Sequence, residues 1–374
     1  MKPNIILVLL DGARVDRITE SQEFEELRKE GILLNNVTTA IPYTMGAINV
    51  IMSGLYGKEN GVDGYNKILG LKESVKILPE ILKENGYFTS CQIIRAKVIA
   101  NRGFDVYLTL DEFVDDGSIN HPILLKKSFE LAKGKPVFSF IQFGGIHTMT
   151  TLEVLNKFSW NDKKFYKQKN MNQKKYDNAI KNALKYAKQI KKTINNLGKS
   201  NDTILIFFSD HGTGLGERFG ERSYGVYCYE ETIRTFYLFI GKGIQKDKIF
   251  ENLCASIDIM PTILGLCDVK TDNRLPGQSF APVLYENIEK LSDNSFTFCE
   301  TGAKDGPFPS TEEPNVFCIK TPRYKLIYFQ TPNQWKLYDL LNDPSEINDL
   351  SGKDLEVENS LRNKLLLWIN RHHQ

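Results

Sequence analysis

The sequence predicts an α/β protein: a large, mostly parallel sheet between helices, then a small antiparallel sheet with a single helix. Three observations carry this reading. Short, strongly apolar segments recur along the chain, and several are followed by a helical pattern, as in a parallel sheet with helices on both faces. After about residue 287 the pattern changes to short strands separated by turn residues. The length, 374 residues, is enough for one large domain of 1–290 and a smaller one of 291–374.

The elements follow in order. The run 4–10 reads as a buried first strand; its six apolar residues from Ile5 to Leu10 are too few for a membrane span or a signal segment. A Glu- and Lys-rich helix is expected over 21–30, and another starting near Thr44 and running through Met52. In 75–85, Ile77, Leu78, Ile81 and Leu82 form a helical stripe that Gly86 ends as a C-cap. Strands are expected over 87–94, 137–143 and 203–209, with a long amphipathic helix over 176–197. The polar stretch 149–172 reads as a mobile loop. The small sheet is assigned to 296–300, 316–320, 324–329 and 335–339, closed by a helix over 355–368.

Composition limits the function classes. Hydrophobic residues are 41 % and charged residues 25 %, the values of an ordinary globular protein. With 48 Lys and Arg against 46 Asp and Glu, the net charge of +2 gives no reason to expect a nucleic-acid partner. No membrane anchor is expected. Six scattered cysteines without a CxxC pair, and no visible signal segment, point to reduced thiols in a cytoplasmic protein.

The chemistry is expected where such sheets gather ligands, outside the carboxyl ends of the strands. Asp11 follows the first strand, Asp210 and His211 follow TILIFFS, and His147 follows VFSFIQFGG. Adjacent Asp and His at a buried strand tip can give a divalent ion one oxygen and one nitrogen, and Asp11 can give a second oxygen. Gly212 permits close backbone approach. Each residue alone has a plainer reading. An Asp at a strand end is usually a helix N-cap, and a lone His is more often a structural one. Their joint occurrence at strand ends, with a Thr at a helix start, shifts the balance. Thr44 suits an N-cap, but a hydroxyl there also suits a nucleophile, because the helix N-terminus favours negative charge.

The order of segments resembles the sulfatase family of the alkaline phosphatase superfamily. ILVLLDGARVDRI is similar to the opening strand and metal-binding Asp. PYTMGAINVIMSGLYGKENGV is similar to the nucleophile signature, and ILPEILKENGYFTS to the helix and strand after it. DTILIFFSDHG resembles the second metal-binding strand, YEETIRTFYLFIGKG the segment beyond it, and SIDIMPTILGLCDV the V-D-x-x-P-T-x-L pattern. TPRYKLIYFQTPNQWKLYDLLNDPSEINDL resembles the C-terminal sheet. Together these cover nearly the whole chain in order.

The resemblance implies one divalent cation held by Asp11, Thr44, Asp210 and His211, with Mn, Zn or Mg favoured over Ca. It implies in-line attack by Thr44 on a sulfate or phosphate ester, with His147 assisting the leaving group. The substrate would be a small-molecule, glycan-linked or lipid-linked ester. Arg14, Arg95 and Lys97 are candidates for holding its anionic oxygens, and Arg222 a weaker one.

Three positions depart from the family pattern. The oxidisable Cys or Ser is Thr44, with Ile48 in place of the pattern's Arg; the second Asp is Gly12; and Gly-Lys-Trp-His is missing. Threonine cannot yield the sulfatase aldehyde, so the chemistry favours phosphoryl transfer while the overall similarity favours the sulfatases. An arylsulfatase-like hydrolase proper and an inactive fold used for binding are the alternatives. Asp258 is read as a helix cap. Loops 111–123, 149–172 and 302–315 are expected to form the pocket walls.

Overall fold

In a computed structural model of the chain, residues 2–64, 70–271, 274–285, 295–353 and 355–373 are described. The first strand, β1 (Asn4–Leu10), is buried along its whole length. Its side chains alternate between two apolar clusters: Ile5, Leu7 and Leu9 enter one, Ile6, Val8 and Leu10 the other. A strand covered on both faces must be apolar at every position, which is why IILVLL shows no polar alternation.

The remaining strands of the large sheet are β2 (Gly31–Thr38), β3 (Phe88–Ile93), β4 (Val106–Thr109), β5 (Val137–Phe143), β6 (Thr203–Phe208), β7 (Arg234–Gly241), β8 (Lys248–Phe250) and β9 (Cys254–Ala255). They run in the order β4-β3-β5-β1-β6-β7-β2-β8, with β9 also on β2. Strands β4, β3, β5, β1 and β6 are mutually parallel; β7 is antiparallel to both β6 and β2. Helices Thr44–Ser53, Leu78–Glu84 and Ile259–Leu266 cover one face, and Gly117–Ala132 and Lys169–Asn196 the other. The small sheet is antiparallel, β10 (Thr297–Thr301), β11 (Val316–Lys320), β12 (Tyr324–Phe329) and β13 (Gln334–Asp339), with the helix Leu355–His373 packed on it. Its core is continuous with the large domain, because Ala40, Ile41, Val50 and Tyr56 join Phe298, Phe317 and Trp368. The expected boundary at 290 lies outside the described residues.

Some expectations need correction. The stretch 149–172 is helical, not a bare loop: one turn spans Thr151–Leu155, another Lys163–Lys167, and the long helix begins at Lys169, not at 176. Polar composition here marks amphipathic helices with solvated faces, and Phe165 and Asn172 are both buried. Half of 111–123 is also helical, from Gly117 onward. Thr44 is the first helical residue and Tyr43 the N-cap, so the Thr44 side chain is not spent on capping. All six cysteines are buried and unbridged. Among the described residues, no helix is long and apolar enough to cross a membrane.

Candidate functional site

Strands β3, β5, β1 and β6 end side by side, and the residues that follow them converge. Asp11 comes after β1, and Asp210 and His211 after β6; all three are at most 1 % exposed. Each offers one ligand atom lying within 4.8 Å of the others, a group that could hold a metal ion. The start of the helix Thr44–Ser53 brings Thr44 Oγ1 to 3.4 Å from Asp11 Oδ1 and 3.2 Å from His211 Nε2.

Neighbouring groups fix the orientation of each side chain. His211 Nδ1 lies 2.8 Å from the Gly212 carbonyl, so it carries the proton and leaves the Nε2 lone pair facing Thr44. Gln142 Nε2 donates to Asp11 Oδ2 at 2.6 Å. Asp210 Oδ1 accepts from the N–H groups of Gly12 (3.1 Å) and His211 (3.0 Å), but its Oδ2 is buried with no hydrogen-bond partner. Burial pushes this carboxyl up to about 6, with the Asp11 charge adding to the rise and His211 opposing it. A buried carboxylate oxygen without a partner is costly. Two carboxylates, an imidazole and a hydroxyl around one point are a donor set suited to a divalent cation.

Gly12, where the family pattern has a second Asp, turns the backbone at φ +75° so that its N–H reaches Asp210. A Cβ there would sit 3.0 Å from Thr213 Oγ1. Close approach also explains Gly212, whose Cβ would meet the Glu231 carbonyl at 2.1 Å. Ile48, one turn along the helix from Thr44, is fully buried in the apolar core and supplies no charge.

These groups open into a cavity of about 330 Å³, whose walls include Asp11, Thr44, Arg95, Lys97, Gln142 and His147. Tyr224 also lines it, with its ring 4.3 Å from that of His211, and Lys304 and Asp305 reach it from the small sheet's connection. His147 Nδ1 lies 2.6 Å from Glu112 Oε2, and Arg95 bonds the other oxygen at 2.7 Å. Burial alone would raise the Glu112 carboxyl, but the bonds and charges of His147 and Arg95 bring it down to about 2. Burial lowers the His147 imidazole, and Glu112 and Asp11 more than reverse that, so it sits above the usual histidine range.

Arg14 does not line this cavity. Its guanidinium is buried against Asp16 and Glu217, each at 2.8 Å, and donates to the Thr213 carbonyl. Three residues past Asp11 is close in sequence, but the acidic partners outcompete an outward pose. Arg222 is likewise committed, to the carbonyls of Leu155 and Phe158. His121 is buried against the Tyr186 hydroxyl, 2.6 Å away. Asp258 accepts from the backbone N–H groups of Ala255 and Gln278. Of the three expected wall segments, only 302–315 contributes to the cavity directly.

Gln142, Tyr224 and Glu112 are absent from the sequence reading. Gln142 had one signal, a polar residue near the end of an otherwise apolar strand; the other two lie in irregular segments that carry none.

A family model described as Sulfatase matches residues 3–269, and one described as N-sulphoglucosamine sulphohydrolase, C-terminal, matches 222–371. The chain belongs to the sulfatase family. This sulfatase-family chain is 27 % identical to arylsulfatase K of Bos taurus over 46 % of its own length and 32 % of that protein's. It is 24 % identical to the low-salt glycan biosynthesis sulfotransferase of Haloferax volcanii, over 70 % of this chain and 60 % of that one. The matches to the arylsulfatases thus span about a third of those proteins. Two solved structures share the fold, each with a TM-score of 0.78. One, in complex with its substrate D-glucosamine-2-N,6-O-disulfate, is 16 % identical and is covered over 98 % of its chain and all of this one. The other, phosphonate monoester hydrolase of Agrobacterium radiobacter, is 15 % identical, with 99 % of this chain and 96 % of that one covered.

Proposed function

We propose that the protein is a metal-dependent enzyme that cleaves or transfers sulfate or phosphate esters through Thr44. The observation that carries this is the position of Thr44 Oγ1, within 3.4 Å of both Asp11 Oδ1 and His211 Nε2, on the wall of a cavity and near His211, whose Nε2 is also 3.4 Å from Asp210 Oδ2, an oxygen that accepts no hydrogen bond. Asp11, Asp210, His211 and Thr44 would hold one divalent cation, with Mn, Zn or Mg favoured over Ca for a mixed oxygen and nitrogen set. That ion would lower the pKa of the Thr44 hydroxyl and offset the charge that develops on the ester.

The side chains supply the remaining steps. Thr44 Oγ1 attacks the sulfur or phosphorus in line. Arg95 and Lys97 present positive charge to the non-bridging oxygens from the cavity wall. His147 gives a proton to the departing oxygen. Thr44 then carries the sulfuryl or phosphoryl group until water or an acceptor alcohol removes it. A threonine ester lacks the aldehyde hydrate by which sulfatases expel sulfate, so release depends on that second attack.

Transfer to an acceptor is the second reading. It is favoured by the sulfotransferase match, which covers more of this chain than the arylsulfatase match does. Substrates on anionic glycans fit the cationic wall and the disulfated sugar bound by the structural relative. The six unbridged cysteines support a reducing, cytoplasmic setting.

A panel of p-nitrophenyl sulfate, phosphate, phosphodiester and phosphonate esters, assayed with Mn, Mg, Zn and Ca, tests the proposal. Turnover of at least one ester that Thr44→Ala abolishes is expected. Unchanged turnover in that variant would remove Thr44 from the mechanism.

A further inference from the structure

We propose that Glu112 is the positioning residue for His147, holding the imidazole so that Nε2 faces the ester oxygen that leaves. The inference builds on the roles just given to Thr44 and His147, and adds a residue that touches no substrate.

Glu112 follows β4, Arg95 follows β3, and His147 and Thr148 follow β5. These strands are adjacent in the sheet, so three neighbouring carboxyl ends deliver their residues to one place. The Glu112 side chain is only 3 % exposed although it lies in an irregular segment. Its Oε2 accepts from His147 Nδ1 at 2.6 Å and from Thr148 Oγ1 at 3.2 Å, and its Oε1 accepts from Arg95 at 2.7 Å. A carboxylate can only accept, so Nδ1 must carry a proton. That leaves Nε2 as the atom for the cavity that His147 lines.

A surface ion pair would not explain this burial. Ionising a carboxyl out of water is favourable only if its partners compensate, and here both oxygens are occupied by cationic groups. The charged or titratable groups around the imidazole are Glu112, Arg95, Asp11 and the Tyr224 ring, 6.3 Å away. Glu112 and Asp11 favour the imidazolium and Arg95 opposes it.

The step balances as follows. Thr44 Oγ gives up its hydroxyl proton to solvent, a loss that a bound cation would favour, and its bond to sulfur or phosphorus forms as the ester bond to the leaving oxygen breaks. That oxygen keeps the electron pair and takes the Nε2 proton. Neutral imidazole remains, with Nδ1–H still on Glu112, and is reprotonated from solvent. A poor leaving group needs this proton; a nitrophenolate hardly does.

The test compares an alkyl ester with the p-nitrophenyl ester of the same acid, in wild type, His147→Gln, Glu112→Ala, Glu112→Gln and the Glu112→Ala/His147→Gln double variant. His147→Gln is expected to lose about 10²-fold or more in kcat on the alkyl ester, and only a few-fold on the aryl ester. Glu112→Ala should show the same leaving-group dependence in kcat, with at least a tenfold loss on the alkyl ester. The double variant should be no worse than His147→Gln alone. Glu112→Gln still accepts from Nδ1 but has no charge, so the basic limb of its kcat–pH profile should move to lower pH. Nitrogen NMR of the imidazole, assigned by its loss in His147→Gln, should place a proton on Nδ1 in the wild type and lose that preference in Glu112→Ala.

Equal losses of Glu112→Ala on both esters, or none, together with a leaving-group-dependent His147→Gln, would overturn the Glu112 role and leave His147 standing. Absence of that dependence in His147→Gln would overturn both.

Discussion

At Gly212, the Cβ that any other residue carries would lie 2.1 Å from the backbone oxygen of Glu231, and Gly212 N–H bonds the Thr232 carbonyl at 2.8 Å. An added methyl has no flexible neighbour to displace, so the backbone that presents Asp210 and His211 must move. Gly212→Ala should therefore weaken Mn or Zn binding by at least about tenfold in a calorimetric titration, in line with the loss when a supporting ligand shell is disturbed. Wild-type affinity in that variant would mean the contact is soft. The residues legible in the sequence are those whose meaning comes from strand position: Asp11, Asp210, His211 and His147 each follow an apolar run, and Thr44 begins a helix. Arg14 shows the limit of that logic. Proximity along the chain placed it near the site, but Asp16 and Glu217, one of them more than two hundred residues away, hold its guanidinium elsewhere. Glu112 could not be found the same way, because its partners come from two other strand ends.

Elements were readable where burial is uniform or period is clear. The segments 316–320 and 324–329 coincide with β11 and β12, since alternating short strands between turns have few other solutions. β2 escaped notice because Asn35 and Asn36 interrupt its apolar run, and there the register with β7 shifts between Leu34 and Val37. A bulge removes the periodicity that identifies a strand. Packing of the small sheet on the large one involves a buried ionic network that no local pattern reveals. Lys325, fully buried on β12, pairs with Glu346 and with Glu230 just before β7; Lys320 on β11 also reaches Glu230, at 2.9 Å. Replacing one member leaves its partners charged and uncompensated. Lys325→Met should lower unfolding stability by about 3–5 kcal/mol, read from urea titrations. A loss under about 1 kcal/mol would show that the network is solvated.

The whole molecule joins these scales through the proposed cation site, where folding brings Asp11 and Asp210 together. Asp210 Oδ2 has no hydrogen-bond partner in the protein, and Asp11 lies beside it. Asp210→Asn should therefore be at least as stable as the wild type in chelator, because a buried charge is gone. With saturating cation the order should reverse, since only the intact site gains the binding free energy, about 2.7 kcal/mol at a hundredfold excess over Kd. Thermal melts of both proteins, with chelator and with Mn, check this. A wild type insensitive to cation would contradict the shared-ion geometry. Fold class, the strand ends that carry the site residues and the family resemblance were accessible from sequence because they depend on segment order, whereas the strand order was not. Substrate-facing walls were not, since they are assembled from distant segments such as 94–98, 142–147 and 302–305.

The most direct measurement is mass spectrometry of the protein quenched during turnover of an activated ester with cation present. A sulfuryl or phosphoryl group on the peptide containing Thr44, absent without cation, is the predicted result. Sustained turnover with Thr44 unmodified, or the group found on another residue, would contradict it.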